Sequence, residues 1–434
     1  MDTDNVHPDA TPPTDWRKVA HKVLKPLASL QLTVVLFALS MVLVFFGTVA
    51  MMSAGLWTVV DQYFRSAIVW IPFDLIRKFG TVFFDLPKDG SPWPFAFPFP
   101  GGWTIGAAML ANLVAAHLVR FKLTWKRSGV ILLHAGVILL MIGELVTGLY
   151  AVESTMSLKI GEKSNFLDVT REFEIAIVDP SDKDHDTTTV VPMRFFQKPG
   201  TVQHESLPFD LEVVAYWPNT SSEEFLTRPE GEFVFGIPQG RWYRFAEKAE
   251  GAGVDTESRS DAPSVIVRAL DKQTGKDLGK HFLSLWFYPN FERNKRFLAF
   301  AERTVTVGGK TYWLMLRHKR VFRDYTIELQ KFEHGKYPGT EIARDFASTV
   351  IVRDQAGGDG REVRIWMNNP LRLGDDSLYQ HQFFPGDTGT VLQVVENRGR
   401  LIPYISCILV TLGMLVHFGF RLSGFLNKPK AVAA

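Results

Sequence analysis

The chain has 434 residues, 46% of them hydrophobic and 22% charged, so it is neither disordered nor halophilic, and its 34 Gly and 24 Pro indicate neither a repeat nor a collagen. Forty-eight Lys and Arg against 46 Asp and Glu leave a formal net charge of +2, which argues against a nucleic-acid binder that must neutralise many phosphates. A mean hydropathy of +0.02 averages four strongly apolar blocks with one long polar, strand-like segment, which is the pattern of a membrane protein with an extramembrane domain.

In chain order, 1–28 reads as a cytoplasmic tail. Ser29 to Met52 is 24 residues without a charge, longer than a signal-peptide core and long enough to span a bilayer with some tilt. In the loop 53–102, Trp57, Val60, Phe64, Ile68, Ile71, Leu75, Phe79 and Phe83 recur at spacings of three or four. This predicts an amphipathic helix on the membrane surface, broken in two at Pro72. Ser91 to Trp103, rich in Pro and aromatics, predicts an extended chain at headgroup level. The second span is 103–119, interrupted by His117. A basic turn (120–128) leads to the third span, 129–150, which holds His134 and Glu144.

From 151 to 400 the helical period gives way to short alternating runs such as EFEIAIV, FDLEVVAYW, SVIVRAL, TYWLMLR, YTIELQKF and EVRIWM, which predict an all-β domain of ten or so strands in a sandwich or barrel. Gly308-Gly309 predicts a two-residue hairpin, and Gln355 to Gly360 a looser turn. The domain's six histidines, His185, His204, His281, His318, His334 and His381, are scattered without a close metal-binding pair, and each reads as an ordinary core or surface residue. No nucleotide loop, nucleophile elbow or paired-carboxylate pattern appears, so an interaction role suits this domain better than catalysis. The fourth span, 401–420, carries Cys407 and His417, and 421–434 forms a second tail. A lone cysteine forms neither an intramolecular disulfide nor a CxxC pair.

Basic residues mark the cytoplasmic ends. Arg17, Lys18, Lys22 and Lys25 precede the first span, Arg120, Lys122, Lys126 and Arg127 fill the turn between the second and third, and Arg421, Lys428 and Lys430 follow the fourth. Arg65, Arg77, Lys78 and Lys88 in the first outer loop are spread wider and matched by Asp61, Asp74, Asp85 and Asp89. Both tails are therefore expected in the cytoplasm and the β-domain outside it. The expected fold class is a membrane protein of α+β type, with four transmembrane helices and a large all-β extracytoplasmic domain between helices three and four.

Ionisable groups within a bilayer are costly and are functional candidates by default. Neutral imidazole is a good ligand for haem iron, and His117, His134 and His417 fall toward the same leaflet. His134 is the deepest, about 8 Å from the cytoplasmic turn at the helical rise. Gly129, Gly136 and Gly143 recur every seven residues beside it, a small-residue stripe for close helix packing, and His134 points about 200° away from Gly136. His117 and His417 are secondary candidates near their span ends, where a histidine also reaches headgroup water or hydrogen-bonds across helices without any cofactor. Glu144 reads as a paired or near-surface group.

Three stretches resemble the ResB family of cytochrome c biogenesis proteins: Leu27 to Ala50, with its L-x-S-L opening and G-T close; Arg127 to Gly148, with Gly129, His134 and Gly136 in a G-x-x-x-x-H-x-G core; and Met367 to Phe384, with an N-x-P-L then Y-Q pattern. The resemblance implies a subunit of the System II haem-attachment machinery in a bacterial inner membrane, a thylakoid membrane being the lesser alternative. It implies that haem is carried outward and presented to apocytochrome c with a separate ResC/CcsA-type partner, since this chain lacks that partner's tryptophan-rich segment. It further implies that His134 is an axial ligand to haem iron at the inner site. Thiol-reducing partners act indirectly, because a chain whose only thiol is buried in the fourth span cannot reduce substrate cysteines. No residue is expected to be catalytic, and the resemblance implies a non-catalytic or accessory subunit of cytochrome c synthase. Two other readings remain open: a b-type haem electron-transfer subunit, and an assembly scaffold without a ligand.

Overall fold

An uncharged run of twenty or so residues can satisfy its backbone in lipid only within its own helix. In a computed structural model, which describes residues 22, 24–85, 94–120, 124–237, 240–251, 261–288, 303–339, 343–354, 358 and 360–427, the helices are α1 (Leu30–Ala50), α2 (Phe73–Phe84), α3 (Gly102–Arg120), α4 (Ser128–Tyr150) and α5 (Ile402–Leu426). All but α2 are long and apolar enough to cross a membrane, a short 3-10 turn at Trp125–Arg127 running directly into α4. Arg17, Lys18, Lys88, Lys122, Lys428 and Lys430 lie outside the described residues, as do 91–93 and most of the turn 355–360. The chain divides into two units, Met1–Leu149 with Gly399–Ala434, and Tyr150–Gly251 with Asp255–Arg398.

In the helical unit, α4 packs on α5 through the glycine stripe. A Cβ at Gly129 would stand 2.5 Å from the backbone nitrogen of His417 and 2.8 Å from the carbonyl oxygen of Gly413, and one at Gly413 would stand 2.8 Å from that of Gly129. Gly136 meets backbone atoms of Ser406 and Val410 in the same way, and Gly143 meets the side chain of Ile402. The fourth helix runs on to Leu426, six residues past the expected end at Phe420, so His417 is not in its last turn. Cys407 is exposed on that helix rather than buried, and Glu144 is exposed on α4.

The amphipathic helix expected over Trp57 to Phe83 is only partly present. Leu56–Val59 is a single helical turn that widens into a π turn at Val60–Phe64, and Ile68–Pro72 is a strand paired antiparallel with Ala96–Pro100. Val69 and Ile71 are buried there while Ile68 and Trp70 are exposed, the alternation of a pleated strand. Pro72 therefore caps α2 instead of breaking a helix. Ile71, Val59, Tyr63 and Leu75 join Leu43 and Ile105 in one core.

The second unit is β-structure with short 3-10 turns, in sheets of ten, four and three strands among the described residues. Its axis is the strand Lys310–Lys336, 27 residues long, which fuses the expected runs TYWLMLR and YTIELQKF. It pairs with Arg303–Val307 across Gly308 and Gly309, both at positive φ as a type I′ turn requires, then with Lys163–Asp179, then with Ala343–Asp354. Register shifts at His318/Arg320, Phe322/Ile327 and Leu329/Lys331 let so long a strand bend, so that it serves two cores. Leu314 and Leu316 pack with Ile175, Ile177, Phe209 and Val265 between the large and four-stranded sheets. Ile327 and Leu329 pack with Leu167, Val350, Leu371 and Leu392 where the large sheet folds over.

Charged groups bridge the same strands. Arg317, directly opposite Glu174, places Nε and Nη2 each 2.8 Å from Glu174 Oε1, with both side chains at most 10% exposed. Tyr288 donates to buried Asp168 at 2.8 Å, which pushes the tyrosine well above its ordinary range through burial and the neighbouring carboxylate.

Two stability outcomes follow from these contacts. Gly129→Ala drives a methyl group into the α5 backbone and is expected to cost about 1–3 kcal/mol, whereas Gly106→Ala, which meets nothing within 4 Å, leaves the melting temperature of the detergent-solubilised protein unchanged. Glu174→Ala strands a buried guanidinium and is expected to cost about 3–5 kcal/mol. Lys319→Ala, which opens the exposed Lys319–Glu172 pair, should cost under about 1 kcal/mol in the same denaturation measurement.

Candidate functional site

All four long helices contribute to one cavity of about 820 Å³, within the range that takes a cofactor-sized ligand. Each presents a single face, which is why most of its lining residues recur at spacings of three, four or seven. On α3 these are Asn112, Leu113, Ala116 and Arg120; on α4 and the turn before it, Lys126, Arg127, Val130 and His134; on α5, His417, Phe420, Arg421 and Gly424. The start of α1 adds Leu30 and Thr33.

Of the three span histidines, His134 and His417 line this cavity and His117 does not. The glycine stripe holds α4 against α5 and turns His134 toward α3, where its ring meets that of His117 edge to face at a centroid distance of 4.9 Å. With the proton on Nδ1, His134 donates to the Val130 carbonyl one turn earlier at 2.9 Å, and His117 to that of Leu113 at 2.9 Å. A backbone bond of this kind fixes the tautomer and leaves the lone pair on Nε2, as a metal-ligating histidine requires. The donor set and the cavity size thus fit a haem, with imidazole from α4 and α5 and an apolar wall from Leu113, Ala116, Val130 and Phe420.

Asn112 was not among the residues singled out from the sequence, although it is polar and only 4% exposed inside an apolar helix. Its side-chain amide donates to the carbonyls of Leu27 (2.5 Å) and Ser29 (3.1 Å) and accepts from Thr33 Oγ1 (2.7 Å), fastening α3 to the start of α1 beside the cavity. Its uncharged side chain made it invisible to a search for ionisable groups. The cations of the lining were read for orientation alone, and only their helical spacing from the histidines signalled a shared face.

The β-unit histidines do not converge. Among the described residues no three His, Cys, Asp or Glu side chains stand close enough to hold a metal. His318 is deeply buried against Phe173 and Tyr288, and burial holds its imidazole below the ordinary range. His334 packs between Phe346 and Phe383 and reaches Asp387 at 3.1 Å.

The Met367–Phe384 motif has a structural account. Asn368 takes a left-handed conformation (φ 63°) in the turn joining Arg361–Trp366 to Leu371–Leu373, a conformation asparagine tolerates well. Leu371 enters the second core. Gln380 accepts from Ser348 (2.6 Å) and donates to Thr390 (2.7 Å), tying together three strands in the folded-over part of the large sheet.

Residues 301–389, which include this turn, match the sequence profile of the ResB-like family. Protein NrfI of Wolinella succinogenes is 29% identical over 91 residues, a stretch that is 21% of this chain and 10% of that protein. Both matches are short, the first lying between Ala301 and Gly389 and so apart from the cavity. The long strand and the Asn368-to-Gln380 motif are the features the profile covers, and over that stretch the chain is similar to the ResB-like family.

Proposed function

We propose that the protein serves cytochrome c biogenesis by holding haem in the four-helix cavity and passing it to a ResC/CcsA-type partner, which presents it to apocytochrome c. The observation that carries this reading is the convergence of His134 and His417 on one cavity, with His134 oriented by the Val130 carbonyl. His134 is the axial ligand, in accord with its place in the third-span motif, and His417 is the second imidazole facing the same space. His117 packs behind His134 and positions it. Haem supplies the iron that imidazole ligates and the macrocycle to be delivered, while this chain's residues bind it, orient it and exclude water.

The basic ends of the helices, Lys25, Arg120, Lys126, Arg127 and Arg421 among them, support a cavity mouth on the cytoplasmic side. The β-unit then lies outside, in a bacterial inner membrane, where it scaffolds the synthase and receives the apocytochrome. Arg361, Arg364, Trp366 and Arg372 border a groove beside its Asn368 turn and suit such a docking role.

The deciding measurement is the visible spectrum and pyridine haemochrome content of the purified protein, alone and with its partner. Haem is expected with the partner and is expected to fall about tenfold or more in His134→Ala, with membrane insertion unchanged. Equal haem in wild type and variant, or none in either, replaces this reading with a scaffold that carries no ligand. Stoichiometric haem held without the partner replaces it with a b-type electron-transfer subunit, the reading that two imidazoles in one cavity lining also support.

A further inference from the structure

Beyond the two histidines, the cavity's polar lining is dominated by cations. Arg120 ends α3, Lys126 and Arg127 stand in the turn before α4, and Arg421 lies one turn beyond His417 on α5. Among the described residues no Asp or Glu lines the cavity, and none of the four cations has an ion-pair partner. They come from three separate segments, so the general enrichment of basic residues at span ends does not by itself explain why they share one lining with two imidazoles.

Their placement is ordered as well. Arg127 precedes His134 by seven residues on the same helical face, about 10 Å along the axis, and Arg421 follows His417 by four, about 6 Å. The apolar residues Leu113, Ala116 and Val130 lie between the charged mouth and the depth of His134. Such a chamber suits a flat apolar body that carries a metal at its centre and carboxylates along one edge. Guanidinium is the side chain best matched to a carboxylate, because its fork donates two parallel hydrogen bonds.

We propose that Arg120, Lys126, Arg127 and Arg421 read the two propionate carboxylates of haem and so fix its orientation, acid edge at the basic mouth and vinyl edge inward. This inference rests on the haem reading above and adds to it a selection for the free diacid. The same cations could instead serve the phosphate of an anionic lipid, and the test separates the two.

The full chain with its partner, stripped of haem and reconstituted in nanodiscs of phosphatidylcholine, is titrated with haem and with haem dimethyl ester, whose carboxylates are masked. The wild type is expected to bind the diacid about tenfold or more tightly than the diester. In the Arg127→Gln/Arg421→Gln variant that preference should shrink toward unity, while diester affinity and the imidazole-ligated Soret spectrum are kept. Arg127→Lys/Arg421→Lys should restore part of the preference, which a merely structural role would not produce.

Equal binding of diacid and diester by the wild type, each with an imidazole-ligated spectrum, overturns this inference and leaves the haem reading standing. Failure of both porphyrins to bind overturns the haem reading, and this inference with it. If phosphatidylglycerol in the nanodisc displaces the diester as effectively as it displaces the diacid, and the Gln variant abolishes that displacement equally for both, the cations serve lipid headgroups and the inference is wrong.

Discussion

The helical unit depends on backbone meeting backbone where α4 lies against α5. Gly129 and Gly413 face one another so closely that a methyl group on either would strike a main-chain atom of the other helix. Lipid offers no hydrophobic drive for two apolar helices to associate, so close van der Waals packing of this kind is what holds them. The consequences run directly to the site. His417 lies one turn beyond Gly413 on α5, and His134, on the flank of α4 away from the contact, meets His117 of α3. Two histidines distant in the chain thus come to line one cavity where glycines elsewhere on their helices let the backbones approach closely. Asn112 plays the complementary part on the opposite wall, replacing close packing with three hydrogen bonds to the start of α1.

The β-unit solves a different problem, that of joining two cores without a linker. Lys163–Asp179 and Lys310–Lys336 pair along most of their lengths, and each contributes to both cores, Leu167 and Ile175 from one strand, Leu316 and Ile327 from the other. Strands this long would twist out of register if they stayed regular, and the shifts near His318 and Phe322 take up the bend. The Arg317–Glu174 pair sits beside the first shift. Its burial makes it costly to break and of little net gain over an apolar pair, so its effect is to hold the register there more than to add stability.

Much of this was legible in the sequence, for identifiable reasons. The four spans follow from length and apolarity, and the outward turn of His134 from a seven-residue glycine period at a helical pitch of 3.6. The hairpin at Gly308-Gly309 follows from the left-handed φ values it needs. The loop after α1 was misread because Ile68 and Ile71 are spaced by three, which suits a helix, while Val69 and Ile71 alternate with Ile68 and Trp70, which suits a strand. Only pairing with Ala96–Pro100 decides between them, and that partner lies more than twenty residues away. Likewise TYWLMLR and YTIELQKF read as two strands because Arg320, Arg323 and Asp324 interrupt the alternation, although the backbone runs through them. The cavity was legible only in pieces. Each helix displays most of its lining at spacings of three, four or seven, but which faces converge depends on the crossing of α4 and α5, a property of the assembled unit.

The basic residues illustrate how one set of charges can meet two demands. Lys and Arg at span ends orient a membrane protein wherever they sit around the helix, since the requirement is only that they remain in the cytoplasm. Rotation is therefore left unconstrained by topology, and a random placement would scatter the four cations over lipid-facing and interior surfaces alike. Arg120, Arg127 and Arg421 instead share helical faces with Leu113 and Ala116, with Val130 and His134, and with His417 and Phe420 respectively. An uncompensated cation cluster beside apolar helices is repulsive in isolation, and the repulsion is relieved when an anion enters. The charge that sets orientation thus also creates, at the mouth of the imidazole-bearing cavity, a site with an electrostatic preference for acids. That preference acts at a distance, because an electrostatic field extends over about a Debye length while packing against the cavity wall needs contact.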